Sequence, residues 1–217
     1  MLVWQRIEIT EVVYLSLHDR IIPEFAEHGY DVKVHIAGDE PDHKTLALSY
    51  GWIWHEIPNQ NIGPKNQALF VEMKKYAWDW QLLLGSDDIL LPGCVQAMIV
   101  GMTKSKWCQF RRCYFFDIRS GESTKVNGAM GAGRLTHRSL LDKIDVLWDH
   151  RRHGCDGISG FHIKQANNNL SYFDMGGEYV YVADIKSDVN ITPFDRYSDD
   201  SPSWSVIPEA DQLNAIS

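Results

Sequence analysis

Along the first hundred residues, short apolar runs alternate with longer stretches in which apolar positions recur every three or four residues. Val12 to Leu17, Val32 to Ala37, Trp52 to Ile57 and Gln81 to Leu84 predict strands, because their apolar content is continuous or alternates with a period of two. Between them, Arg20 to His28 reads as a helix closed by Gly29, residues 42–50 as one closed by Gly51, Lys65 to Trp78 as a longer one, and Leu91 to Met102 as a fourth. Strands alternating with helices in this way predict an α/β fold, a mostly parallel central sheet sandwiched between helices. The second half reads differently. Trp107 to Ile118 is β-rich with charges inside it, and Ser120 to Ser123 is a hairpin turn. Gly128 to Gly133 is a Gly/Ala loop, Thr136 to Leu147 a helix, Ile158 to Gln165 another, and Tyr179 to Ala183 a last strand. Beyond Ser198 the chain is acidic and rich in Ser and Pro, which predicts a loosely held tail. There is no internal repeat and no clear linker, so residues 1–217 are expected to form one domain.

The end of the fourth predicted strand carries the most chemistry. Leu82-Leu83-Leu84 is followed by Gly85-Ser86-Asp87-Asp88 and then at once by Ile89-Leu90. Two adjacent carboxylates at the edge of an apolar core are costly, because ionised groups resist leaving water. A divalent cation bound by Asp87 and Asp88, Mn²⁺ or Mg²⁺, would offset that cost and would also hold a phosphorylated ligand. The C-terminal edge of a parallel sheet is where open α/β folds bind their ligands.

Composition narrows the classes. The 217 residues suffice for one α/β domain with a full core. Eight Trp and nine Tyr are compatible with stacking on bases or sugars, and equally with a large aromatic core. The four cysteines lack any Cys-x-x-Cys spacing, so they read as reduced thiols of a cytoplasmic protein. No signal peptide and no long apolar span is present, so no membrane span is expected. The formal net charge is −8, yet residues 101–153 carry eleven Lys and Arg against five Asp and Glu. That basic segment reads either as an anion site, such as a diphosphate or a nucleic-acid backbone, or as a solvated surface. The motifs of P-loop nucleotide hydrolases, α/β-hydrolases and dinucleotide-binding enzymes are absent.

Taken in order, several of these segments give the chain a resemblance to the GT-A class of nucleotide-sugar glycosyltransferases, particularly small family 2-like members of the phage type. The resemblance covers roughly residues 10–195. Leu15-Ser16-Leu17-His18-Asp19-Arg20 stands where the family has its first nucleotide-binding loop. Asp39 in Ala37-Gly38-Asp39-Glu40 matches its nucleoside-binding acid, and Asn61 to Leu69 matches its loop-helix with a basic residue, Lys65. Gly85-Ser86-Asp87-Asp88 corresponds to the acidic metal motif, with Gly85 where the usual form has an Asp. Gly128 to Arg134 is similar to the glycine-rich loop near the donor sugar, with Gly133 and Arg134 at its end. Asp156, in His153-Gly154-Cys155-Asp156-Gly157, stands where inverting members keep a general base, and it reads equally as a helix N-cap. Asp184 and Lys186 follow the last strand, where they could reach the metal or diphosphate or form a surface ion pair.

The resemblance implies a Rossmann-type GT-A domain with a nucleotide-binding half at about 10–100, an acceptor-binding half at about 101–197, and a tail at about 198–217. It implies transfer of a sugar from a nucleoside-diphosphate sugar, a UDP-sugar first among them, to an acceptor hydroxyl. The nucleotide-sugar would be held by Ser16, His18, Arg20, Asp39, Lys65, Asp87, Gly133, Arg134 and Lys186. Mn²⁺ or Mg²⁺ would sit on Asp87 and Asp88, and Asp156 would deprotonate the acceptor. Phage enzymes of this kind bring in a hydroxymethylated pyrimidine of DNA as one acceptor, and the host cytoplasm as the location. A saccharide or protein acceptor, a sugar-phosphate nucleotidyltransferase and a catalytically inactive binding module remain as alternatives.

Overall fold

A computed structural model describes residues 1–3, 5–59, 61–128, 131–149, 155–187 and 203–216, without the side chains of residues 155, 156 and 204. The first layer is parallel. Strand β1 (His35–Gly38) pairs in parallel with β2 (Ile53–Glu56), joined by helix α3 (Pro41–Ser49). On the other side of β1 lies the very start of the chain. Leu2 bridges Ala37 and Gly85, both in parallel, and Val3 N–H donates to the Ala37 carbonyl at 3.0 Å. The chain therefore opens on a short central extended segment that reaches both β1 and the Gly85 corner.

The remaining strands form two mixed sheets. Strand β3 (Trp80–Leu83) is antiparallel to β8 (Arg134–His137), which pairs with β5 (Trp107–Gln109), itself parallel to β9 (Phe173–Asp174). The other sheet runs β4 (Asp88–Leu90), β10 (Val182–Lys186), β6 (Arg112–Asp117), β7 (Ser123–Asn127), and only the β10–β6 pair is parallel. The class is α/β, but the expectation of a mostly parallel sheet is corrected. The tight turn between β6 and β7 can join only antiparallel neighbours, and β8 and β10 return from far along the chain to run antiparallel to β3, β5 and β4.

Two predicted elements change type. Val12 to Leu17 is not a strand. It belongs to helix α1 (Ile7–Ser16), which runs through a π-helical turn (Leu17–Ile21) into α2 (Ile22–Glu27). Val12-Val13 carries a strand propensity, yet Ile9, Val12, Val13 and Ser16 are buried at helical spacing, and that burial outweighs propensity. Thr136 to Leu147 is not one helix either. Its start belongs to β8 and only α6 (Arg138–Leu141) is helical. Its apolar residues Leu140, Leu141, Ile144 and Leu147 still enter a core with Phe70, Trp107 and Trp148.

Other helices fall close to expectation: α4 (Ile62–Met73), α5 (Cys94–Lys104) and α7 (Cys155–Ala166). The last strand begins later than expected and includes Asp184 and Lys186. The chain end is docked rather than loose. Helix α8 (Ala210–Asn214) lies against α1 with Ile207 and Leu213 buried. Among the described residues, no helix is long and apolar enough to cross a membrane.

Candidate metal and diphosphate site

The acidic corner is assembled by two strands and a turn. Gly85 meets Leu2, Ser86-Asp87 turns, and Asp88 opens β4. Across the antiparallel ladder Asp184 of β10 stands directly opposite Asp88, and Ile185 N–H donates to the Asp87 carbonyl at 2.8 Å. The result is that carboxylate oxygens of Asp87, Asp88 and Asp184 lie within 4.8 Å of one another. Three like charges this close repel strongly in a partly dry setting.

The electrostatics follow from that crowding. Burial, followed by Asp87 and Asp184, pushes the Asp88 carboxyl well above the usual carboxylate range, although the Gly85 N–H donates to its Oδ2 at 2.5 Å. Burial pushes Asp184 up to about 6 against the pull of Lys186, with Asp87 adding to the rise. The Lys186 Nζ stands 2.6 Å from Asp184 Oδ2. Burial works against the ammonium, but Asp184, Asp87 and Asp88 outweigh it and hold its pKa above the ordinary lysine value. A second cation approaches from the chain start: Arg6 Nη1 donates to Asp87 Oδ2 at 2.8 Å.

These residues fit a divalent cation. Ionised carboxylates are acceptor-only groups of the hard type that Mg²⁺ and Mn²⁺ take. Asp184 Oδ1 is buried and has no hydrogen-bond partner, so one oxygen of the trio is left for a ligand. Gly85 has a steric reason: a Cβ there would stand 2.8 Å from Asp87 Oδ1 and 2.9 Å from Asp88 Oδ2. An acid at position 85 would displace the very carboxylates it joined. The third carboxylate comes instead from Asp184, about a hundred residues later in the chain.

The other predicted site residues divide into four groups. Asp39 and Lys65 both reach Asn59, next to the chain start. Asp39 Oδ2 accepts from the Asn59 N–H at 2.8 Å, and Lys65 Nζ donates to the Val3 carbonyl at 2.6 Å and to Asn59 Oδ1. Burial lowers the Lys65 ammonium to about 8, while Asp39 and Glu40 oppose the fall. Lys65 therefore straps the 59 loop to the first segment and points inward.

Ser16, His18 and Arg20 are not brought to a strand end, because the expected strand is a helix. Arg20 Nη2 donates to Ser16 Oγ, to the Leu90 carbonyl and to Glu209 Oε1, so it anchors the chain end. His18 is exposed beside Asp19. Gly133 and Arg134 belong to packing. Gly133 has φ +74°, and a Cβ on it would meet the Phe110 ring at 2.6 Å. Arg134 is buried in β8 and donates to Ser159 Oγ of α7 at 2.5 Å. Asp156 falls in the first turn of α7, and its side chain lies outside the described residues.

Three arginines of the basic segment stand in ion pairs. Arg112 pairs with Glu178, Arg119 with Asp117 and Arg138 with Asp142. A cavity of about 910 Å³ lies elsewhere, between β2 and α4, lined by Trp54, Ile57, Gln67, Val71 and Trp148 among others, and none of the acidic trio lines it. Arg6 is the site residue that sequence reasoning missed. Its signal was the apolar Met1-Leu2-Val3 start followed by the helical period of Ile9, Val12, Val13 and Ser16, which places a strand end just before Arg6. No family model matches the chain, and no curated protein sequence matches it.

Proposed function

We propose that the protein is a divalent-cation-dependent glycosyltransferase of GT-A-like architecture, moving a sugar from a nucleoside-diphosphate sugar to an acceptor hydroxyl. The observation that carries this reading is the convergence of Asp87, Asp88 and Asp184, with an unpartnered Asp184 oxygen, beside the central parallel segment. A Mn²⁺ or Mg²⁺ ion bound there supplies stabilisation of the charge that develops on the departing diphosphate. Asp87 and Asp184 would hold that ion from the turn and from β10, with Asp88 supporting them from the start of β4. Lys186 adds a fixed positive charge at the same corner. Asp39, exposed after β1, offers a carboxylate to nucleoside hydroxyls, while Lys65 fixes the loop beside it. Asp156, at the start of α7, is the residue assigned to remove the acceptor proton as that oxygen attacks the anomeric carbon in an inverting displacement.

The acceptor hydroxyl is that of a saccharide, a protein or a hydroxymethylated pyrimidine of DNA. The test is product analysis with a panel of nucleoside-diphosphate sugars and Mn²⁺, with and without simple saccharide acceptors. Release of nucleoside diphosphate that requires Mn²⁺ and disappears in Asp87→Ala is expected. Pyrophosphate as the product would instead assign a nucleotidyltransferase, and no turnover or nucleotide binding by folded protein would overturn the reading.

A further inference from the structure

Arg6 is held in a conformation that its local sequence does not favour. It caps the N-terminus of α1 with φ 53° and ψ 45°, and its neighbour Gln5 also has φ 54°. Two consecutive non-glycine residues in the left-handed region are strained, and such strain persists only where surrounding contacts impose it. The cap also places a cation at the positive end of a helix dipole and supplies no side-chain hydrogen bond to the helix. The backbone is nevertheless fixed on both sides. Gln5 N–H donates to Glu40 Oε2 at 2.9 Å, and Thr10 N–H donates to the Arg6 carbonyl at 3.0 Å. What Arg6 gains in return is Asp87: the 2.8 Å contact, with both side chains less than one-fifth exposed.

Asp87 Oδ2 thus carries a guanidinium on a carboxylate that belongs to the acidic trio. A divalent cation drawing on the same carboxylate competes with it electrostatically, since both neutralise one charge. We propose that Arg6 is an exchangeable counter-ion: it neutralises Asp87 in the cation-free chain and yields the carboxylate when a divalent cation binds. It then turns its planar fork to the diphosphate that arrives with the ion. The inference rests on the metal reading of the trio and deepens it. The guanidinium suits both partners, because its donors match carboxylate and phosphate oxygens two at a time. The anchored backbone lets the side chain alone make the exchange. Its consequence is coupling: cation binding frees the arginine, and the freed arginine favours nucleotide, so each ligand tightens the other.

Calorimetric titration tests this with Mn²⁺ alone, and then with UDP at saturating Mn²⁺, on wild type, Arg6→Ala, Arg6→Lys and Asp87→Asn. Arg6→Ala is expected to bind Mn²⁺ alone about tenfold more tightly and UDP about tenfold more weakly, the scale of one charge-assisted contact. Arg6→Lys falls between wild type and alanine in both titrations, and it carries the test if the alanine variant melts below the assay temperature. A purely structural Arg6 would not move the two affinities in opposite directions. Unchanged or weaker Mn²⁺ binding by folded Arg6→Ala, while Asp87→Asn loses Mn²⁺, overturns the exchange alone. If wild type takes up no Mn²⁺ and Asp87→Asn behaves identically, the metal reading falls and the exchange falls with it.

Discussion

Two buried ionic clusters in this chain look alike in composition and differ in charge balance. At the chain end, Arg20 meets Glu209 at 3.0 Å, with Ser16 and the Leu90 carbonyl sharing the guanidinium. One cation faces one carboxylate, and the contact pins α8 to the first helix. At the acidic corner, Arg6 and Lys186 face three carboxylates; burial, then Asp87 and Asp184, push Asp88 upward, and burial with Asp87 pushes Asp184 upward. A folded chain gains nothing by crowding buried carboxylates together. The first cluster is explained by folding alone. The second leaves Asp184 Oδ1 buried without a hydrogen-bond partner, and that oxygen is what a divalent cation would engage.

The difference is sharpest in function. Asp87→Ala should lower cation-dependent donor turnover by about a hundredfold or more, read as nucleoside-diphosphate release. Arg20→Ala should instead cost about 2 kcal/mol of stability, read in a urea titration, because it leaves Glu209 buried without its partner. Its Mn²⁺ affinity should stay at the wild-type value, and a change there would break the separation of the two clusters.

The neutral pair His35–His55 extends the comparison, with 2.9 Å between His35 Nδ1 and His55 Nε2. Burial, then His55, lowers His35 to about 4. Between pH 6.5 and 4 the unfolded chain therefore takes a proton that the folded chain refuses. Stability from this group is full above about pH 6.5 and falls by roughly 3 kcal/mol towards pH 4. Melting curves of wild type against His35→Gln check this, and the variant should lose that part of the slope.

The smallest effect has the opposite sign. Asp88→Asn removes a buried like charge while keeping an acceptor for the Gly85 N–H. It should raise the cation-free melting temperature by about 2–4 °C, the change that about 1 kcal/mol makes in a chain of this size. It should also lose much of the further rise on adding Mn²⁺.

The paired carboxylates were legible in the sequence because two acids following a leucine run stand out against an apolar core. Most helices and the β-rich stretch of residues 107–118 were legible too, from apolar period, as was the turn at Ser120–Ser123. The first strand was not, because Met1–Val3 is three residues long while Val12-Val13 imitates a strand inside a helix. That error displaced the expected nucleotide loop to Ser16–Arg20 and hid Arg6. Arg134 misled in a different way: a basic residue after a glycine-rich stretch looks available, and only the β8–α7 packing shows its guanidinium turned inward. The third carboxylate was visible as a residue but not as a partner of Asp88, since sheet register joins positions 88 and 184.

The central claim is that Asp87, Asp88 and Asp184 form one cation site that serves a nucleoside diphosphate. Calorimetric titration of Mn²⁺ into wild type and Asp184→Asn, each with and without UDP, tests it most directly. One Mn²⁺ per wild-type chain, bound more tightly with UDP present and lost in Asp184→Asn, is the predicted result. Mn²⁺ binding indifferent to both Asp184 and UDP would contradict it.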